Sequence, residues 1–173
     1  MFYVFCDGEA LLKKFQEGYG THPKGFFILA PSGSGKTHFI KNQIKNDWID
    51  GDDLWLAAKA EPENEWWNES LDKINEVEQR CDVITSQAKK LGFWIMGASN
   101  WWLLPDAIVL PPWRVHKNYI IKRENNNYDG GAKSDTFLQV MNHRKYMQGI
   151  ARKNKIPVFR TVEDAVTYLE KLV

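Results

Sequence analysis

The sequence of 173 residues has little cysteine and no long apolar run. Its two cysteines, Cys6 and Cys81, are too few for a disulfide framework or a zinc ribbon. The longest apolar stretches, such as residues 107–112, fall far short of the roughly 20 residues that a membrane helix needs. The first residues also lack the basic and apolar segments of a secretory signal peptide. We therefore expect a cytoplasmic protein without a membrane partner.

Net charge is also nearly absent, at +1, but this sum conceals two oppositely charged regions. Residues 47–82 contain twelve Asp or Glu and three Lys or Arg, which gives −9. Residues 111–155 contain ten Lys or Arg and three Asp or Glu, which gives +7. Such asymmetry marks either two surfaces with different partners or two solvated helical faces. The hydrophobic fraction of 43% is typical of globular proteins, and the length predicts one domain over residues 1–173.

Short apolar runs alternate with longer segments of helical periodicity. Each run is bounded by turn residues, as expected of strands that are buried on both faces. The predicted strands are residues 25–30, 47–50, 91–97, 106–110 and 156–160. The predicted helices are residues 8–19, about ten residues from 36, 53–59, 64–90, 113–124, 136–154 and a last helix capped by Thr161. This alternation predicts an α/β fold in which helices cover both faces of a five-stranded parallel sheet.

The most specific motif is Ala30-Pro31-Ser32-Gly33-Ser34-Gly35-Lys36-Thr37, which matches G-x-x-x-x-G-K-[ST] except at Ala30. It lies between a predicted buried strand and a predicted helix, the context that this phosphate-binding motif requires. Its glycines would let backbone N–H groups surround phosphate oxygens at the start of a helix. Lys36 would reach the β- and γ-phosphates, and Thr37 would offer its hydroxyl to Mg²⁺. The sequence thus predicts ATP and Mg²⁺ as cofactors, with nucleotide-binding residues Ser32, Gly33, Ser34, Gly35, Lys36, Thr37 and His38.

Two features argue against a motor protein or a large ATPase. No run of several apolar residues ends in Asp or Glu as a motor-type Walker B strand would, and the chain is too short for a sensor subdomain. The second predicted strand instead leads into Asp50-Gly51-Asp52. On an extended segment, side chains two residues apart point the same way, so both carboxylates would face the cleft.

The order of these parts resembles the small P-loop kinases, such as gluconate, shikimate, adenylylsulfate and nucleoside monophosphate kinases. Asp50-Gly51-Asp52 looks like their Asp-x-Asp after the second strand, and residues 96–99 lie where the shikimate kinases have a glycine-rich turn. Residues 116–123 resemble the helix that leads into a mobile lid. The resemblance covers residues 25–172 and implies a three-layer P-loop NTPase fold with strand order 2-3-1-4-5. It implies a core of residues 25–52, 91–123 and 154–173, a helical acceptor arm at 53–90 and a lid at 124–145.

The resemblance and the chemistry of phosphoryl transfer assign roles to individual residues. Lys36, Asp50, Asp52 and Arg123 are the candidate catalytic residues. Asp50, with Thr37, would hold the metal or act as the base, and Asp52 would contact the substrate hydroxyl, although these roles could be exchanged. Arg123 would stabilise phosphate charge when the lid closes, or stack on adenine.

Further residues are assigned to the acceptor and the lid. The candidate acceptor contacts are Asp52, Trp55, Arg80 and Ser99, and the candidate lid cations are Lys133 and Arg144. Ala98-Ser99 replaces the glycine pair of the relatives, and the lid lacks their closely spaced arginines. We expect His116 and His143 to be surface or structural histidines, because their spacing does not fit a metal site.

The acceptor itself stays open at the level of sequence. The acidic arm disfavours polyanions, which favours a small hydroxyl-bearing acceptor such as a nucleoside, nucleotide or sugar. The tryptophans of the acceptor side either pack in the core or stack on a base, and the basic residues 111–155 either serve ATP or touch nucleic acid. A polynucleotide or hydroxymethyl-pyrimidine DNA kinase is therefore the alternative. A regulatory ATPase without an acceptor is the third hypothesis, against which Asp50-Gly51-Asp52 argues.

Overall fold

Five parallel strands form one sheet in the computed structural model, in the order β2-β3-β1-β4-β5. The structure describes residues 9–60, 64–128 and 130–173, with the backbone alone for residues 9–13. The strands are β1 Phe26–Leu29, β2 Trp48–Asp50, β3 Trp94–Gly97, β4 Ala107–Val109 and β5 Val158–Phe159. This confirms the predicted parallel sheet and its order. Cys6 and three acidic residues of the charge counts given above, Glu61, Glu63 and Asp129, lie outside the described residues.

Seven α-helices connect or flank these strands within the described ranges. They are α1 Glu9–Gly18, α2 Lys36–Asn42, α3 Gly51–Trp55, α4 Leu71–Lys90, α5 Trp113–Asn125, α6 Phe137–Asn154 and α7 Val162–Glu170. Short 3₁₀ turns cover Leu56–Ala58, Trp66–Asn68 and Ser134–Thr136. None of the helices described is long and apolar enough to cross a membrane.

Strands β1 to β4 are almost entirely buried, whereas Val158 of the edge strand β5 is 48% exposed. Side chains along β1 alternate between two hydrophobic clusters, with Phe27 and Leu29 in one and Phe26 and Ile28 in the other. Residues of α3, α4 and α6 pack in the first cluster, whereas residues of α7, with the apolar side of α2, pack against the second. The chain thus forms three layers with the sheet in the middle, as the alternating sequence pattern predicted.

The start of one helix and the extent of the expected lid differ from the sequence expectation. The predicted helix 64–90 begins only at Leu71, because Ser70 caps it by accepting a hydrogen bond from Lys73 N at 3.4 Å. The expected lid of residues 124–145 includes nine residues that belong to the first half of α6 (137–145). The connection between α5 and α6 is therefore residues 126–136.

The parallel arrangement places the segments that follow the strands along one edge of the sheet. The loop after β1, the start of α3 after β2, residues 98–100 after β3 and Pro111-Pro112 after β4 all lie at the carboxyl ends of strands. In open α/β sheets this edge is where ligands bind. The candidate site residues from distant parts of the sequence are brought to this edge.

Candidate functional site

The loop between β1 and α2 is strongly curved. Gly33 and Gly35 have φ angles of 80° and 107°, a region that residues with a Cβ rarely adopt. A Cβ at Gly33 would also lie 2.6 Å from Ile120 Cγ1 of α5. In this loop the hydroxyl of Ser34 is buried without a hydrogen-bond partner among the described residues. A buried hydroxyl of this kind is a ready partner for a polar ligand in the loop.

Lys36 spans the same loop with its side chain. Its Nζ donates hydrogen bonds to Ala30 O at 2.8 Å and Pro31 O at 3.1 Å. An ammonium group has three protons, so these two bonds leave donor capacity for an anion. Burial lowers the pKa of Lys36, while Asp50 and Asp52 act in the opposite direction. The ammonium therefore has two carboxylates nearby as electrostatic partners.

Thr37 and Asp50 meet across the intervening strand β3. Thr37 Oγ1 lies 3.4 Å from Asp50 Oδ2. Both are hard oxygen donors, and the pair fits Mg²⁺, which commonly takes one or two protein oxygens and completes its shell with water and phosphate. No cluster of three or more His, Cys, Asp or Glu side chains suited to a metal occurs in the described ranges. The two-oxygen set is thus the part of the predicted metal site that the protein would supply.

Asp52 is not on an extended segment, contrary to the sequence expectation. Asp50 Oδ1 accepts a hydrogen bond from Asp52 N at 3.1 Å and caps α3, so Asp52 lies in the first helical turn. Asp52 retains access to solvent, but loss of part of its hydration in the folded protein raises its pKa. The charge of Asp50 raises this pKa further, whereas Lys36 lowers it. The two carboxylates are therefore close enough to influence each other and Lys36.

Arg123 reaches the loop from α5. Its Nη2 donates to Ala132 O at 2.7 Å and lies 3.4 Å from Ser32 Oγ, while its guanidinium stacks 4.8 Å from the centre of the Tyr128 ring. Ala132 N also donates to Ser32 Oγ, at 2.9 Å. The structure thus places Arg123 and the connection between α5 and α6 against the loop, and Lys133 follows Ala132 in this connection.

His38, the last of the predicted nucleotide-binding residues, lies on the exposed side of α2. Its carbonyl accepts a hydrogen bond from Asn42 Nδ2 at 2.7 Å, and its side chain remains in solvent. Any contribution of His38 to the loop comes from its position in the first turn of the helix.

Trp55 and Arg80 do not present the expected groups to an acceptor. Trp55 is 3% exposed, packs over Gly51 and Gly97, and donates from Nε1 to Thr85 Oγ1 at 3.0 Å. Arg80 donates from Nε to Ala58 O at 2.9 Å and pairs with Glu76. Trp55 is therefore a core residue, and Arg80 ties α4 to the turn that follows α3.

Ser99 lies at the end of β3, as expected, but its hydroxyl already has a partner. It is buried and donates a hydrogen bond to the Glu78 carboxylate of α4. Burial raises the pKa of Glu78, and nearby Asp82 raises it further. The Ser99–Glu78 pair is a polar group that the sequence analysis missed, since 21 residues separate its members.

Two tryptophans after Ser99 are exposed on a firmly held loop. Trp101 and Trp102 are 47% and 50% exposed. The buried carboxylate of Asp82 accepts hydrogen bonds from the backbone N–H groups of Trp101, Trp102 and Leu103 at 2.9, 2.6 and 2.6 Å. The two rings are thus displayed by a loop whose backbone is anchored in α4.

His116 is a buried structural histidine, one of the two outcomes expected for it, whereas Arg144 does not lie where the sequence analysis expected it. Arg144 is not a lid cation, because it lies inside α6 and its guanidinium donates to Pro111 O at 2.8 Å and to His116 Nδ1 at 3.0 Å. His116 is fully buried, and its Nε2 contacts Ser32 O at 2.8 Å. A signal for His116 was present in the sequence, because His116, Ile120 and Arg123 share one face of α5 by helical spacing.

His143 lies near the loop as well. Burial lowers its pKa to about 4, and the charges of Lys36 and His116 contribute. Its ring stacks with Tyr146 at a centroid distance of 6.3 Å, and the Tyr146 hydroxyl lies 3.4 Å from Asn100 O. Tyr146 of α6 therefore reaches the segment that follows β3, a contact that the sequence did not indicate.

The carboxyl edge of the sheet thus brings together Lys36, Thr37, Asp50, Asp52 and Arg123 around one curved loop, with Ser99 at the neighbouring strand end. Neither the protein-family models nor the curated proteins with which the chain was compared match it.

Proposed function

We propose that this protein is a P-loop kinase that transfers the γ-phosphoryl group of Mg-ATP to a hydroxyl group of a small acceptor. The observation that carries the proposal is the approach of Thr37 Oγ1 to Asp50 Oδ2, 3.4 Å apart, beside Lys36 in the curved loop. A lysine, a hydroxyl and a carboxylate at these positions supply the contacts that phosphoryl transfer requires. With this function we propose a P-loop NTPase fold for the three-layer domain.

The nucleotide phosphates would lie in the curve of residues 32–37. Backbone N–H groups of the loop, the unpartnered Ser34 hydroxyl and the remaining donor of Lys36 Nζ would face the phosphate oxygens. Arg123 would add a second positive charge from the lid side, since its Nη2 lies 3.4 Å from Ser32 Oγ. Closure of the lid over this region would exclude water from the transferring group.

Thr37 and Asp50 would hold the metal ion from the protein side. When bound, Mg²⁺ supplies positive charge at the transferring phosphoryl group. Asp50 has its second oxygen bonded to the backbone of Asp52, which orients its carboxylate and leaves Oδ2 towards Thr37. Asp52 would accept the proton of the acceptor hydroxyl, since a carboxyl group with a raised pKa is a stronger base than an ordinary one.

The acceptor side favours an uncharged substrate. Arg80, the arginine assigned to the acceptor, pairs with Glu76 and Ala58 O, and Arg144, the arginine assigned to the lid, is engaged by His116 and Pro111 O. Asp52 and Glu78 instead offer carboxylates, which repel anions and accept hydrogen bonds from hydroxyl groups. The exposed rings of Trp101 and Trp102 suit a planar base, so a nucleoside is the acceptor that combines these properties.

Release of ADP from Mg-ATP tests this function with a panel of acceptors. The panel contains nucleosides, their monophosphates, sugars, and single- and double-stranded DNA, and Lys36→Met is the inactive control. We expect release stimulated by an uncharged hydroxyl acceptor and lost in the variant. Stimulation by DNA alone that is lost at high salt would favour a polynucleotide acceptor instead. ATP binding without stimulation by any acceptor would favour a regulatory role.

A further inference from the structure

Ser32 is the point at which the loop meets the rest of the site. Its carbonyl contacts His116 Nε2 at 2.8 Å, and its hydroxyl accepts from Ala132 N at 2.9 Å and lies 3.4 Å from Arg123 Nη2. The main chain of Ser32 is therefore held by α5, and its side chain is held by the lid. Any rotation of Ser32 would disturb both sets of contacts.

The partners of His116 determine where its proton lies. A backbone carbonyl only accepts hydrogen bonds, so the contact with Ser32 O requires a proton on Nε2. A guanidinium group only donates, so the contact with Arg144 Nη1 at 3.0 Å requires a free lone pair on Nδ1. His116 is thus a neutral imidazole in the Nε2–H form.

Arg144 is itself fixed, which makes it an effective support. Its second terminal nitrogen donates to Pro111 O at 2.8 Å, and the side chain is only 9% exposed. His116 has no exposed surface, and both of its ring nitrogens are engaged, Nε2 by Ser32 O and Nδ1 by Arg144. The imidazole therefore cannot turn without breaking a buried hydrogen bond.

We propose that His116 is a positioning residue of the nucleotide site: held by Arg144 in its Nε2–H form, it fixes the Ser32 carbonyl and thereby directs the Ser32 hydroxyl to the lid. This inference rests on the proposed nucleotide binding of the loop. It assigns His116 and Arg144 a role in shaping the loop and securing the lid, without contact with the reacting atoms. One residue, Ser32, then couples the shape of the loop to lid attachment.

Removal of the imidazole should change both the affinity for ATP and the hydrogen exchange of the Ala132 amide. In His116→Phe the Ser32 carbonyl and an Arg144 donor lose their buried partner, and the loop is free to turn. We expect the dissociation constant for ATP to rise about tenfold or more. We also expect faster hydrogen exchange of the Ala132 amide, whose acceptor is the Ser32 hydroxyl.

Two further variants separate positioning from general stability. His116→Gln keeps an amide N–H and an oxygen in one side chain, so it should retain ATP affinity within a few fold. His22→Phe is the control, since His22 stacks on Trp94 at a centroid distance of 3.5 Å, away from the loop. It should lower the melting temperature at most, and leave both ATP affinity and Ala132 exchange unchanged.

Nitrogen NMR of the histidine rings in the full chain tests the inference without nucleotide. We expect a neutral His116 with its proton on Nε2 at neutral pH, and a mixture of both neutral forms in Arg144→Met. A wild-type Nδ1–H form, or wild-type ATP affinity and Ala132 exchange in His116→Phe, would overturn the inference. If His116→Phe fails to fold, the NMR result for Arg144→Met decides it. If the wild-type protein binds no ATP, the proposed function is wrong. The NMR and hydrogen-exchange results still test whether His116 positions Ser32.

Discussion

Asp50 Oδ2 lies 3.4 Å from Thr37 Oγ1, although strands β2 and β1 are separated in the sheet by β3. The contact joins the end of β2 to the first turn of α2. The other oxygen of Asp50 caps α3 through Asp52 N. The Asp50 carboxylate therefore caps α3 with Oδ1 and faces the proposed metal position with Oδ2.

Replacement of Asp50 by asparagine should separate these two tasks. Asparagine caps helices about as well as aspartate, so the fold and melting temperature should remain close to wild type. Loss of the negative charge should raise the Mg²⁺ concentration needed for half-maximal activity and lower kcat by about 10²-fold or more. Asp53→Asn, an exposed carboxylate in the same turn, is the matched control and should keep near wild-type kinetics. Equal Mg²⁺ dependence in Asp50→Asn and wild type would contradict the metal role of Asp50.

Asp52→Asn should lower the turnover rate and raise thermal stability, and the gain in stability should depend on pH. Because the pKa of Asp52 is raised in the folded protein, its ionised form costs stability at pH values above that raised pKa. The variant should therefore melt at a higher temperature than wild type near pH 7. The difference in melting temperature should shrink as the pH falls through the raised pKa of folded Asp52. It should vanish below the pKa that Asp52 has in the unfolded chain.

The measurement is thermal unfolding of both proteins across this pH range, with Glu170→Gln at the exposed end of α7 as the control. If Asp52 is the base, the same variant should also lose most of its turnover. A wild-type turnover rate in Asp52→Asn would remove Asp52 from the mechanism.

Several features were predictable from sequence because they depend on local chemistry. Continuous apolar runs predicted the strands, and Thr161 does cap α7 by accepting from Asp164 N at 3.1 Å. The motif at residues 30–37 was recognisable by its spacing. The expected extended geometry of Asp52 was wrong, because the capping bond from Asp50 starts α3 at Gly51, two residues before the predicted helix 53–59.

Long-range partners explain the remaining differences. Arg144 lies in the basic region that suggested a lid cation, but its guanidinium is bonded to His116, 28 residues away in the sequence. Trp55 seemed suited to stack on an acceptor, yet its partner Thr85 is 30 residues away in α4. Pairings of this kind depend on how helices pack across the sheet, which hydrophobic periodicity does not specify.

The lid offers a sharp test at two adjacent glycines. A Cβ at Gly131 would lie 2.3 Å from Ser32 Oγ, and its φ of 64° is unfavourable for other residues. Gly131→Ala should therefore push the lid away from the loop and weaken ATP binding. At Gly130 the nearest atom to a new Cβ is Tyr128 Cε1 at 3.3 Å, so Gly130→Ala is the matched control.

Calorimetric titration with ATP compares the two glycine variants directly. We expect roughly tenfold weaker binding for Gly131→Ala and a change of less than about twofold for Gly130→Ala. Equal affinities in the two variants would show that the contact between Ser32 and the lid does not contribute to nucleotide binding.

The exposed tryptophans test the class of acceptor. Stacking on a base contributes about 1–3 kcal/mol per ring, so Trp101→Ala and Trp102→Ala should raise the acceptor KM by roughly tenfold while KM for ATP stays constant. Because Asp82 anchors the backbone of this loop, both variants should keep the fold. Tyr168→Ala, at a 40% exposed aromatic on α7, is the control. An unchanged acceptor KM in both tryptophan variants would argue against a planar base.

Transfer of labelled γ-phosphate from ATP to an isolated acceptor tests the central claim most directly. We predict that the wild-type protein, with Mg²⁺, converts an uncharged nucleoside to its phosphate ester, and that Asp50→Asn binds ATP but forms this product more slowly, by about 10²-fold or more. Absence of labelled product from every hydroxyl acceptor in the panel, under conditions where the wild-type protein binds ATP, would contradict the proposal that this protein is a kinase.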